Sequence, residues 1–416
     1  MELSRQGIES LSAPSRPSPS SAPLQGSSSI HLDALRGLAA FSVLLNHWRD
    51  AFFVDYPNLR HHNPLSTAAY LVAGLGHQWV IVFFVMSGYL VGGSVLRSVQ
   101  GGRWSWRPYL LSRLTRLYIV LLPALLLGGM IDWTGMHVPG TQAVYGGHSG
   151  MHALAADVHR SLTPEALAGN LLFLQTIALP GMNGHRVYTF GSNGPLWSLA
   201  NEFWYYMAFP LLLLMLSGHG QRPGQRARAG AWRLHAACAA GLVAWGWFVG
   251  PEIALLGICW LMGAAIAKLP PLPCRHHWTR RLAIGGAMTL FGGALVMGKL
   301  SHTLGTSLVL GLAVAVLIWI TVCCATAPVP RVYTHVARHA ARSSYTLYLV
   351  HLPFLVFLKA CLHLPRAFPG WSSCLAALGV MAVTLMYAHL VYLVFEKNTD
   401  RVRDWLRPRV MGKSAA

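Results

Sequence analysis

Charge is scarce in this sequence: Asp, Glu, Lys and Arg together make up 11% of its 416 residues. A soluble chain carries about 25% charged residues and uses them to coat its surface. A string of water-soluble domains is thereby excluded. The 54% apolar content and a mean hydropathy of +0.45 point instead to lipid as the solvent. Acidic residues are the scarcest of all, 13 against 32 Lys+Arg, for a formal charge of +19. In a soluble protein that excess would suggest nucleic acid. Here it reads as the basic fringe of cytoplasmic loops, with no nucleic-acid partner. The seven cysteines include no CxxC pair and lie mostly in apolar stretches, so neither a disulfide nor a thiolate metal framework is expected. His61-His62 and His276-His277 sit in polar loops without helix-spaced partners, and no metal is expected. Residues 1–29 are rich in Ser and Pro and lack a long apolar run. They read as a disordered cytoplasmic tail without a cleavable signal peptide.

Apolar runs are what the chain has in quantity. Stretches long enough to cross a bilayer fall at about 33–53, 76–96, 115–132, 195–216, 233–249, 251–269, 282–299, 304–325, 345–361 and 373–395. An eleventh, 164–179, is short and carries Glu165, Asn170 and Gln175. Whether it crosses decides the orientation of everything that follows. With 164–179 non-crossing and the N-terminus inside, 25 basic residues lie on the inner side and seven outside; if it crosses, the split is 12 to 20. The positive-inside rule selects the first arrangement. The expected fold is therefore an all-α integral membrane bundle of ten transmembrane helices with both termini cytoplasmic. An external region, 133–194, would hold a surface-lying or re-entrant helix. The domain plan is a tail (1–29), a transmembrane domain (30–396) and a basic cytoplasmic tail (397–416).

Ionisable groups inside a bundle cost at least a few kcal/mol and need a partner or a use. In the first helix Asp33 and Arg36 are spaced to pair. His47 lies eleven residues beyond Arg36, on the same face and roughly 16 Å further along. Gly37 and Ala40 between them would leave room for an extended ligand, or form a helix-packing seam. In the segment 195–216, Pro195 opens the helix, and Ser198, Glu202 and Tyr205 make one face polar. Glu202 sits two turns inside apolar sequence and needs a cation, a proton or a functional role. Near 345–361, Ser344, Tyr348 and His351 share a face, and Pro353 is expected to interrupt the helix. Ser87-Gly88 breaks an apolar wall and admits a backbone or a thin ligand. The loop 97–116 carries Arg97, Arg103, Arg107, Arg113 and Arg116 with no acidic residue. A positive-inside loop explains the charge. Two arginines drawn one turn apart into a helix start suit a polyanionic ligand at the cytoplasmic face.

Five segments in order, LDALRGLAAFSVLLNH (32–47), FFVMSGYL (83–90), RLTRLY (113–118), NGPLWSLANEFWYYMAFPLLL (193–213) and SYTLYLVHLP (344–353), resemble acyltransferase family 3, the membrane O-acyltransferases of cell-surface glycans. The resemblance implies a cytoplasmic acyl-CoA donor, usually acetyl-CoA, and a carbohydrate hydroxyl as acceptor at the outer side of the inner membrane. It makes His47 the family's first-helix catalytic histidine, Arg36 the arginine of its R-G element, and Arg113 and Arg116 its donor-binding pair. Ala34 stands where a glycine is common and Asn201 where many relatives carry a second acid. The arginine pair is also spaced more widely than the usual R-x-R. Within that frame Glu202 would orient His47, and His351 and Tyr348 would steady an oxyanion or bind the acceptor, with Ser87 and Ser198 beside them. Glycan-assembly proteins would be natural partners. The rival class is a transporter or flippase for anionic or sugar-bearing substrates, with His47 and Glu202 as a proton relay. No second copy of the His47 helix or of WSLANEF is found, and internal repeats are common in such carriers. A non-catalytic scaffold would have no use for buried His, Glu and Arg together.

Overall fold

The computed structural model describes residues 27–154, 157–179, 186–216, 228–272, 276–325 and 327–411. The expected tail up to residue 26 lies outside them. Among the described residues the chain is helical, and its β-structure is limited to two isolated bridges, Phe53 with Ala367 and Ala178 with Arg186. The chain orders as α1 (Ser27–Phe52), α2 (Pro64–Ala73), α3 (Gly76–Ser87) and α4 (Gly93–Gln100), the last two joined by a π turn at Gly88–Gly92. There follow α5 (Trp106–His137), α6 (Pro164–Leu171), α7 (Leu196–Leu216), α8 (Arg228–Ile266), α9 (His277–Leu300), α10 (Leu304–Cys324), α11 (Arg331–Cys361), α12 (Trp371–Val394) and α13 (Thr399–Met411).

Nine segments among the described residues are long and apolar enough to cross a membrane. One of them, Trp232–Ile266, has 35 residues and would be about 50 Å long if straight, well beyond a ~30 Å hydrocarbon core. Its helix breaks at Gly250 (φ +78°, ψ 169°), followed by Pro251. Contacts with α7 show that the two arms run in opposite directions. Trp204 meets Phe248, and Leu211, further along α7, lies against Gly241. On the other arm Tyr205 donates to the Ile253 carbonyl and Phe209 meets Trp260. This segment therefore supplies two of the ten expected crossings. The stretch 164–179 does not cross. Thr163 caps the short α6, and the backbone then turns through positive φ at Phe173 and Thr176. The loop dips into the bundle, where Tyr118 donates to the Leu171 carbonyl and Trp204 to that of Phe173, and it returns beside Val187.

Besides Pro251, three prolines lie inside apolar helices among the described residues, and two of the carbonyls they orphan are taken by side chains. Pro210 in α7 leaves the Tyr206 carbonyl free, and Tyr109 donates to it at 2.9 Å. Pro353 in α11 leaves that of Leu349, and Asn193 Nδ2 donates to it at 2.8 Å. This corrects the expected interruption: α11 runs on through Pro353, because the asparagine supplies the hydrogen bond the ring cannot. The third, Pro123, lies in α5.

The π turn marks the tightest crossing. A Cβ on Gly88 would collide with the Trp260 carbonyl oxygen, and one on Gly263 with that of Val85. Gly88→Ala is expected to destabilise the protein by at least about 2 kcal/mol through overpacking. Thermal unfolding in detergent measures this, and an unchanged midpoint would contradict the tight crossing. The seam of small residues on α1 is used in the same way. Gly37 packs on Ala340 of α11 and Ala40 is fully buried, so this stripe seats a helix rather than an extended ligand.

At the opposite end of the bundle from Arg36, Asp55 binds Arg366 (2.8 and 3.1 Å), Arg49 (3.2 Å) and His152 (3.2 Å). Asp50, Asp55 and His152 each place one ligand atom within 4.8 Å of the others, but the guanidiniums already supply the positive charge there. Partial desolvation alone would raise the Asp55 carboxyl. The Arg366 hydrogen bonds and charge, with His152 and Arg49, outweigh it and hold the group at about 2. A carboxyl depressed on folding stabilises above its unfolded value near 4 and loses that contribution as pH falls towards 2. Stability should therefore drop across that window in the parent, and the drop should shrink in Asp55→Asn; identical pH profiles would count against a stabilising role for the Asp55 ion pairs.

Candidate active site

A cavity of about 330 Å³ opens at the Arg36 end of the bundle, lined from α1, α3, the π turn, α5, α7, α11 and α13. Its mouth is cationic. Arg36, Arg113, Arg116 and Arg403 line it, with Ser112, Thr399 and Asp400. Arg36 reaches Asp33 at 3.4 Å, the pairing expected from their spacing. Its Nε is buried without a partner, as is Nε of Arg113. Arg116 lies over the Tyr345 ring at 5.8 Å. Four guanidiniums against one carboxylate at the mouth suit a polyanionic ligand.

Deeper in, the walls are Phe83, Ser87, Leu199, Glu202 and Tyr206, and the far end is Ser198 and Tyr348. The polar face of α7 is Ser198, Glu202 and Tyr206. Tyr205, expected on that face, turns to the Ile253 carbonyl instead. Glu202 accepts from Ser87 Oγ at 2.8 Å and from the hydroxyl of Tyr206, and Trp260 Nε1 donates to Ser87 at 3.2 Å. In place of the expected pairing of Glu202 with His47, the carboxylate is taken up by two hydroxyls and His47 meets His351. Ser198 and Tyr348 share a hydrogen bond of 2.7 Å. Asn201, where a second acid is common in relatives, is buried away from the cavity lining.

His47 and His351 come together. Nδ1 of His47 and Nε2 of His351 are 2.7 Å apart, with the rings stacked at 5.0 Å. His351 Nδ1 lies 2.8 Å from the Leu347 carbonyl, which can only accept. For two neutral imidazoles this fixes both tautomers. His351 donates from Nδ1 and accepts at Nε2; His47 donates from Nδ1 and keeps a lone pair on Nε2. The pair stands just beyond the cavity end, the Tyr348 and His351 rings being 6.4 Å apart. His351 is fully buried and His47 half-buried.

Of the residues singled out in the sequence, Arg36, Ser87, Arg113, Arg116, Ser198, Glu202 and Tyr348 line one cavity, while His47 and His351 form the imidazole pair behind it. Sequence reasoning missed Tyr206, Asn193 and α13, whose Thr399, Asp400 and Arg403 close the mouth. The only available signal for α13 was its Asp400–Arg403 spacing, which does form an ion pair at 2.9 Å.

A multi-pass helical bundle enclosing guanidinium, carboxylate and imidazole groups defines an integral membrane protein with a polar site inside it. The family profile described as acyltransferase domain (Acyl_transf_3) matches residues 30–392, and the chain belongs to this family, that of the membrane acyltransferases. No curated protein matches the chain, and no solved structure does.

Proposed function

We propose that the protein moves an acyl group, acetyl in the first instance, from cytoplasmic acyl-CoA to a hydroxyl of a cell-surface or lipid-linked carbohydrate. Its place would be the inner membrane, beside glycan-assembly proteins. One observation carries the reading: the cavity begins at four arginines and ends at Tyr348, one helical turn from His351, whose imidazole partner His47 keeps a free lone pair.

Arg36, Arg113 and Arg116 hold the phosphates of the donor, and its thin arm follows the cavity towards Tyr348. His47 Nε2 takes the proton of the acceptor hydroxyl as that oxygen attacks the thioester carbonyl. The tetrahedral intermediate collapses with cleavage of the C–S bond, and the thiolate leaves with the proton returned by His47. His351 fixes the tautomer that makes His47 a base, a positioning role. Tyr348, held by Ser198, is the hydroxyl nearest to where negative charge would gather. Glu202 fixes Ser87 and Tyr206, and so shapes the wall along which the donor lies.

The test is label transfer from radiolabelled acetyl-CoA by the purified protein supplied with membrane glycan. Label on the glycan with matching release of CoA supports the reading. Neither label nor CoA release, with a range of acyl-CoA donors, would overturn it.

A further inference from the structure

A second cavity, of about 340 Å³, lies apart from the first and is lined by Arg331, Thr334, His335, Arg338, His339 and Arg342. All six belong to the first three turns of α11, and their spacing puts them on one face of the helix. The lining holds no carboxylate, and none of the three arginines takes part in an ion pair among the described residues. A basic loop placed by the positive-inside rule needs only the charge; it does not need the charge gathered on one stripe around a concave surface.

The setting is an interface between water and lipid. His339 meets His389 of α12 at 5.1 Å, and His389 meets Tyr392 at 5.8 Å, so the stripe lies beside one end of a crossing helix. Next to the basic stripe Val332 and Val336 are 76% and 60% exposed, and on α12 Leu390 and Val394 are 55% and 62% exposed. Apolar side chains that face outward on both helices suit acyl chains, and the guanidiniums of the stripe suit headgroup phosphates. A free phosphate compound would leave those apolar faces uncovered. Arg331 and Arg342 are eleven residues apart, roughly 16 Å along the helix. That reach exceeds a single phosphate.

We propose that this groove binds an anionic phospholipid of the inner leaflet whose headgroup carries two phosphates. The site stands independently of the acyl-transfer reading, because none of its residues lines the first cavity.

Cardiolipin is the probe. The full-length protein in detergent is given cardiolipin, phosphatidylcholine or inorganic pyrophosphate, and retention is followed by native mass spectrometry alongside the thermal unfolding midpoint. Cardiolipin should be retained and should raise the midpoint, while phosphatidylcholine and pyrophosphate should do neither. Each guanidinium at a membrane surface is worth about fivefold in affinity, so Arg331→Gln with Arg338→Gln and Arg342→Gln should weaken retention roughly a hundredfold. The corresponding triple Lys variant should keep most of it. Equal retention of phosphatidylcholine and cardiolipin by the unaltered protein, which needs no variant to fold, would overturn the site. So would a folded triple Gln variant that binds as the parent does. Pyrophosphate bound as tightly as the lipid would overturn the lipid as occupant.

Discussion

His47→Ala should lower acyl transfer roughly a thousandfold, within the range that general-base removal commonly costs, with the protein still folded in the membrane. The hydrogen-bond chain leaves only one ring nitrogen of the pair with an unengaged lone pair, Nε2 of His47. His351→Ala leaves the base in place but no longer fixes its tautomer. Its loss should be smaller, tens- to a hundredfold in kcat, with little change in KM for the donor. Steady-state kinetics on both variants separates the roles. Transfer unchanged in His47→Ala would remove that residue from the chemistry; equal losses in kcat with a raised KM in His351→Ala would make His351 a binding residue.

Arg113→Ala combined with Arg116→Ala should raise KM for acetyl-CoA a hundredfold or more and leave kcat much less affected. Hydrogen bonds to charged groups contribute about 1.5–3 kcal/mol each, and two of them suffice for that factor. Both side chains line the mouth of the cavity, far from the imidazole pair, so the loss should fall on binding. A fall in kcat at unchanged KM would move these arginines out of the donor site.

The crossing pattern was legible because lipid imposes it: every span needs a long apolar run, and basic loops declare their side. The site residues were legible for the complementary reason, since a buried His, Glu or Arg in such runs is conspicuous. What stayed hidden depends on partners distant in sequence. Asn193 and Tyr109 take the carbonyls freed by Pro353 and Pro210, and neither residue looks unusual along the chain. Glu202 was recognised as functional, yet its partners proved to be Ser87 and Tyr206, since helix spacing fixes a face and not what faces it. Gly37 and Ala40 suit a ligand or a neighbouring helix equally well, and α11 took the space. The role of α13 was obscured by its charge, which resembles that of any cytoplasmic tail.

The most direct measurement is an experimental structure of the protein with a non-transferable acetyl-CoA analogue. The account predicts phosphates within hydrogen-bonding reach of Arg113 and Arg116, Tyr348 turned from the cavity end, and the acyl carbon within about 4 Å of the hydroxyl position served by His47 Nε2. An analogue seated elsewhere, or one whose acyl end stays walled off from His47 by Tyr348, would contradict it.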